Sequence, residues 1–207
     1  MRNIKKSVAA AMACSFLFAF AGCAEKWKTN DEKWEIKAYD EDEYMEILED
    51  KLGIDEDDID IFDNLGYRGS ELIEGTYIQT HYGNCSIFIS LYDHDGDAED
   101  DSDLLLDQLE EYEDDSDLRE LFEENDGELA YHQENDTGYI LCRSNEYFTP
   151  AFAGDINMSR EDCYVAAFYC DDVVIRIIPH NEYERGDSEQ IIEIIEALGY
   201  PTLEDVK

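Results

Sequence analysis

Apolar positions along the chain fall into three patterns. The first is continuous: from Ser7 to Ala21 every residue is apolar or small, behind Arg2, Lys5 and Lys6. That is the n-region and h-region of a secretory signal. Its 15 residues fall short of the roughly 20 that span a bilayer, and the chain turns polar at once with Glu25, Lys26 and Lys28. The second pattern has the helical period. Tyr44, Ile47, Leu48 and Leu52 share one face, with Asp40 and Glu43 spaced as a capping box and Gly53 at the stop. Ile191, Ile192, Ile194, Ile195 and Leu198 form another face, with Asp187 and Gln190 as the capping pair and Gly199 and Pro201 ending it. Two more helices are predicted, from about Ser102 to Tyr112 and from Ser116 to Glu124, the latter carrying Leu118, Leu121 and Phe122.

The third pattern is the strand. It predicts Ile59–Phe62, Leu72–Thr80, Cys85–Tyr92, Glu128–Gln133, Tyr139–Arg143, Cys163–Cys170 and Val173–Ile178, with a strand-like stretch at Trp34–Tyr39. Asp171-Asp172 as a two-residue turn pairs Cys170 with Val173, Phe168 with Ile175 and Ala166 with Ile177 on one face. That face is wholly apolar and should meet the helices. The opposite face pairs Tyr169 with Val174, Ala167 with Arg176, Val165 with Ile178 and Cys163 with His180, a mixed set suited to a wetter or binding surface.

An offset of 87 residues aligns the chain with itself without a gap. Thr76-Tyr77-Ile78 falls on Cys163-Tyr164-Val165, Ser86–Leu91 on Val173–Ile178, Asp100 on Asp187, and Leu104-Leu105 on Ile191-Ile192. Each copy is a hairpin, a connector and a helix. Two unrelated hairpin–helix units would give the same alignment, because few identities are involved. The expected fold class is α+β: two hairpin-helix repeats forming an antiparallel sheet covered by helices on one face. The domain layout is a signal over 1–22, a tether over 23–39 and an acidic domain over 40–207, with halves at 40–115 and 116–207.

Charge changes the picture more than length does. The chain holds 54 acidic and 15 basic residues, a net charge of −39. Losing residues 1–22 removes Arg2, Lys5 and Lys6 and no acid, so the remaining 185 residues carry −42. Such a surface repels nucleic acid and anionic lipid, which excludes both as partners. Fourteen Tyr, nine Phe and only three Pro argue for a packed core rather than a disordered acidic tail.

Phe20-Ala21-Gly22-Cys23 resembles the lipobox of bacterial lipoproteins, with Phe20 where that family has an aliphatic residue. The resemblance implies that Cys23 takes a diacylglycerol and becomes the N-terminus; two acyl chains suffice for stable anchoring. Ala19-Phe20-Ala21 is also an A-x-A site, which would release a secreted protein beginning at Gly22. Lipobox, polar tether, early helix, hairpin plus helix twice and a closing Ala197-Leu198-Gly199-Tyr200-Pro201 together resemble a loose set of small acidic lipoproteins exported by Gram-positive anaerobes. That likeness implies location and fold, and supplies no activity.

Candidate chemistry is sparse. Asp93, Asp95 and Asp97 alternate as carboxylates do in calcium loops. Numbered as an EF-hand from Asp93, the sixth residue is Ala98 instead of Gly and the twelfth is Leu104 instead of Glu. The competing reading is a solvated connector whose last carboxylates cap a helix. Tyr147, Phe148 and Phe152 crowd the long connector before Cys163 and are candidate binding residues, or a loop folded over the core. Cys163 opposite His180 has the makings of a thiolate dyad, without a third group to orient the histidine. Cys85, Cys142, Cys163 and Cys170 allow three disulfide pairings, or stay buried thiols. No P-loop, G-x-S-x-G or H-E-x-x-H is present, so the sequence names no catalytic residue and no cofactor. The expectation is a non-enzymatic binding or interaction module at the cell surface, its partner a protein of the cell envelope. An exported enzyme and a calcium-binding envelope protein are the alternatives.

Overall fold

A computed structural model describes residues 27–29, 36–68, 71–114, 120, 124, 126–134, 137–144, 163–179 and 188–206. Its centre is one eight-stranded sheet: β1 (Trp27–Thr29), β2 (Asp60–Arg68), β3 (Glu71–Tyr82), β4 (Cys85–Tyr92), β5 (Glu128–Glu134), β6 (Thr137–Ser144), β7 (Cys163–Cys170) and β8 (Val173–Pro179). The order is β1-β5-β6-β7-β8-β4-β3-β2. Every neighbouring pair is antiparallel except β1 with β5. The α+β class holds.

The β7–β8 hairpin has the register that its alternation predicts: Cys170 with Val173, Phe168 with Ile175, Ala166 with Ile177, and Tyr169 with Val174 on the other side. Asp171 supplies the left-handed turn residue at φ 53°, a conformation that Asp tolerates better than most. Period-two alternation then sorts the sheet into two apolar faces. One carries Ile87, Ile89, Phe168, Ile175 and Ile177. The other carries Ile140, Cys142, Val165, Ala167 and Val174.

Helices cover both faces, which corrects the one-sided arrangement. The described helices are α1 (Glu41–Glu46), continued by a π-helical stretch over Ile47–Lys51, α2 (Asp95–Asp114) and α3 (Ser188–Leu198). Tyr44, Leu48 and the α3 residues Ile191, Ile194, Ile195 and Leu198 join the first face. The α2 residues Ala98 and Leu105 join the second. The duplication reading changes with this. The two hairpins meet through β4 and β8, with Ile89 opposite Ile175 and Phe88 opposite Arg176. The offset of 87 equates Ile89 with Arg176, residues on opposite faces, and each helix lies on the face its counterpart avoids. Two hairpin-helix units are present, with opposite hands.

Local chemistry explains the boundaries. Asp40 caps α1 in a reciprocal box, the Glu43 N–H donating to its Oδ1 at 2.9 Å and its own N–H to Glu43 Oε2 at 3.3 Å. Gly53 follows at φ 68°. Helix α2 begins at Asp95 rather than near Ser102, because a run of carboxylates favours a helix N-terminus and is drawn into its first turns. The tether also joins the fold. Trp27–Thr29 runs parallel to β5 and Ile36 is buried, so the domain starts before residue 40. Residues 36–39 are not a strand, and Trp34 and Glu35 lie outside the described residues. Of the helix expected over 116–124, only Glu120 and Glu124 are described, and both are helical. Gly138 on β6 leaves room for the Tyr169 ring, whose hydroxyl lies where a Cβ would stand.

Tyrosines close the first face. The Tyr39 N–H donates to Tyr44 Oη at 3.4 Å, the two hydroxyls of Tyr44 and Tyr200 are 3.1 Å apart, and Tyr200 donates to the Lys37 carbonyl at 2.7 Å. Tyr39 donates to the Leu198 carbonyl at 3.0 Å, and Tyr164 accepts the Leu203 N–H at 2.9 Å. Residues 37–44 and 198–203 are thus held across the body by neutral phenols. Burial pushes the Tyr44 phenol up to about 12, and it raises Tyr92, Tyr164, Tyr169 and Tyr200 as well. In the unfolded chain these groups ionise near 10. A raised folded pKa means stability that is complete below pH 10 and lost as pH rises through the folded values. Each phenol then contributes a loss of up to about 1.4 kcal/mol per pH unit. The expected outcome is cooperative alkaline unfolding above about pH 10, with tyrosinate absorbance appearing together with loss of circular dichroism. Tyrosinate absorbance rising in full while the fold persists would refute the buried relay.

Candidate functional site

The outer strands β2, β3 and β4 carry an aromatic row on the face that also bears α2. Phe62 stands directly opposite Tyr77 with ring centroids 6.0 Å apart. Tyr77 and Phe88 are diagonal neighbours, 6.2 Å apart and nearly parallel at 10°. Arg176 follows opposite Phe88. Cross-strand aromatic pairs on a pleated surface stabilise the sheet and present a flat apolar strip. Phe62 is 48% exposed; Ile61, on the opposite face of the same strand, is 42% exposed, and Leu72, opposite Tyr67 farther along the β2–β3 ladder, is 44% exposed. Burial raises the Tyr77 phenol, and the Arg176 charge opposes that shift. The strand alternation contains this row, but sequence alone could not say that β2 would be an edge strand.

Two register shifts in β2, between Phe62 and Asn64 and between Asn64 and Gly66, bend its second half. Beside this bend lies an open cleft of about 340 Å³ lined by Asp63, Asn64, Leu72, Glu74, Gly75, Thr76 and Asp93. All three charged lining residues are carboxylates. The Asp93 N–H donates to the Glu74 carbonyl at 3.2 Å, which holds the start of the connector against β3. His94 Nε2 comes within 4.0 Å of Glu74 Oε2. A second, smaller cleft of about 240 Å³ lies along α1, lined by Tyr39, Glu43, Glu46, Ile47, Asp50 and Lys51.

The sequence candidates separate in space. Asp93 follows β4 in the acidic cleft, whereas Asp95 is the first residue of α2, its side chain outside the described set. The Asp97 N–H is bonded within the first turn to the His94 carbonyl at 3.0 Å. Among the described residues no three His, Cys, Asp or Glu side chains converge to hold a metal ion. Cys163 opens β7 and is buried, while His180, Tyr147, Phe148, Phe152 and Cys23 lie outside the described residues. His81 Nδ1 meets Ser86 Oγ at 3.1 Å, and His132 packs on Tyr139 at 5.9 Å. Cys85, Cys142, Cys163 and Cys170 are all buried thiols outside any disulfide.

A calcium loop needs several oxygens from one flexible segment, and the helical start at Asp95 removes that flexibility. At fixed ionic strength, millimolar calcium and magnesium are therefore expected to raise the melting temperature equally, through screening of the negative charge. A calcium-selective rise that disappears in the Asp95→Asn/Asp97→Asn variant would establish a site there. What the described surface offers chemically is a partly buried aromatic row, exposed at Phe62, and near it on the same edge an acidic cleft. Compared with protein-family models, curated proteins and solved structures, the chain matches none of them.

Proposed function

We propose that the chain is an exported protein, lipid-anchored through Cys23 on the outer face of the cell membrane, and a non-enzymatic module that binds a protein of the cell envelope. The observation that carries the location is Phe20-Ala21-Gly22-Cys23 at the end of a charged-then-apolar leader. No described helix is long and apolar enough to cross a membrane. Trp27 of β1 follows Cys23 by four residues, an extended reach of at most about 14 Å, so an anchored domain sits close to the bilayer surface. The anionic headgroups of that surface repel its charge of −42.

Support for binding comes from the aromatic row at the β2 edge. Phe62 is half exposed at the sheet edge and continues the row of Tyr77 and Phe88 on one face. The acidic cleft near that row favours a partner with basic residues.

Two experiments test the reading. Cys23→Ser removes the acylation position, so the protein is expected to leave the membrane fraction or to accumulate with its leader uncut. Recovery of the variant in the membrane with normal processing would exclude the anchor. Separately, the wild-type domain should recover one stoichiometric partner from cell-envelope extract, and Phe62→Ser should lose it. Phe62 is half exposed and pairs with Tyr77, so that substitution is expected to cost about 1–2 kcal/mol of stability, and the variant's fold is checked by circular dichroism. Equal recovery by both proteins would remove the aromatic row from the binding surface.

A further inference from the structure

The four cysteines of the domain are distributed by the sheet, and that distribution decides their chemistry. Cys85 and Cys170 belong to the face that carries α3. Cys142 and Cys163 belong to the face that carries α2. Any bridge between the two sets would have to pass through the sheet. Within the first set, Cys85 stands opposite Pro179 of β8 and Cys170 opposite Val173. Six residues along one strand separate those positions by about 20 Å, far beyond the reach of a disulfide.

Cys142 and Cys163 are different. They lie on adjacent strands, with Val165 opposite Cys142 and Ser144 opposite Cys163. The two cysteines are therefore diagonal neighbours on one face, and they are close enough to interact electrostatically. Diagonal Cα atoms in such a ladder are about 7–8 Å apart, and a disulfide accepts up to about 6.8 Å. A closing movement of about 1 Å suffices. Cys163 forms the last rung of the β6–β7 ladder with Ser144, where strand ends yield most easily. Serine is small, so it leaves Cys163 space to turn along the face.

We infer that Cys142 and Cys163 form the one intramolecular disulfide open to these four described cysteines, and that Cys85 and Cys170 remain thiols. The reaction needs a small-molecule disulfide, such as oxidised glutathione, as oxidant. Cys163, as the thiolate, attacks one sulfur of that disulfide and expels one small thiolate, leaving a mixed disulfide. Cys142, once deprotonated, attacks the Cys163 sulfur of the mixed disulfide and expels the second thiolate. The two cysteine protons end on the two small thiols, so the protein loses two hydrogen atoms and the small disulfide is reduced. The inference does not depend on export, although an exported protein meets such oxidants routinely.

The test uses the purified domain, unfolded and reduced, then refolded in a glutathione redox buffer. Remaining thiols are alkylated under denaturing conditions and the peptides mapped by mass spectrometry. The expected product is a monomer with one Cys142–Cys163 crosslink and alkyl groups on Cys85 and Cys170. Its melting temperature should exceed that of the reduced protein by roughly 5–10 °C, from closure of a loop of about 20 residues in a domain of this size. The Cys85→Ala/Cys170→Ala variant should keep that oxidant-dependent rise, and Cys163→Ala should lose it. A monomeric crosslink that includes Cys85 or Cys170 would overturn the inference, as would four alkylated thiols in the refolded wild type.

Discussion

Strand β7 has no exposed side. All eight residues from Cys163 to Cys170 are buried, so both faces of the sheet must be covered for the strand to exist. An antiparallel sheet commonly leaves one face to water, and an apolar strand pair of this kind does not permit that. The need for cover on both sides accounts for the placement of the helices. Helix α3, with a broad stripe of Ile191, Ile194, Ile195 and Leu198, takes one face. The second face falls to α2, whose sequence is poorly suited to the task.

Helix α2 meets the sheet through few groups. Ala98, Ser102 and Leu105 are buried, whereas Leu104 is more than half exposed. Around that narrow stripe lie Asp97, Glu99, Asp100, Asp101, Asp103 and Asp107, whose mutual repulsion opposes the compact state. The helix is tied down by a neutral donor: the Tyr92 hydroxyl donates a hydrogen bond to Asp101 Oδ2 at 2.7 Å. A charge-assisted bond of that kind is roughly twice as strong as a neutral one. Phenols serve on the opposite face too, where Tyr39, Tyr44 and Tyr200 join residues 37–44 to residues 198–200 through carbonyls and one another. In a chain so poor in Lys and Arg, phenols do what ion pairs do elsewhere. The exposed pair between Lys37 and Glu43 contributes little by comparison.

Legibility in the sequence followed the length of the interaction. Features set by neighbours in the chain were readable: the Asp40–Glu43 box, the stop at Gly53, the limits of β4 and β7, and the β7–β8 register. Each depends on spacing alone. Features set by distant partners were not. The acidic run at 93–103 reads as a connector because carboxylates look solvated, yet helix-dipole stabilisation draws Asp95 onward into α2. The side of the sheet that α2 covers depends on the hand of a crossover, which the hydrophobic pattern does not encode. The bulged edge of β2, and with it the exposure of Phe62, depends on which strand ends up outermost. The thiols show the same division: counting them allows three pairings, and only the faces separate those pairings.

The two-sided burial also bears on where a partner could dock. A sheet covered from both sides keeps open backbone only at its outer strands, and β2 is one of them. Exposed edges invite unwanted pairing, and charge and bulges are the usual protection. Here Asp60 and Asp63 and the two register shifts guard the edge backbone. The side chains of Ile61 and Phe62 remain exposed on the same strand. An edge guarded only against aggregation would carry polar residues at those positions too. Apolar side chains beside a guarded backbone fit recognition through a side-chain surface rather than through strand addition. The carboxylates of the adjoining cleft repel other copies of this acidic chain, and on the proposed reading the same charge favours a basic partner.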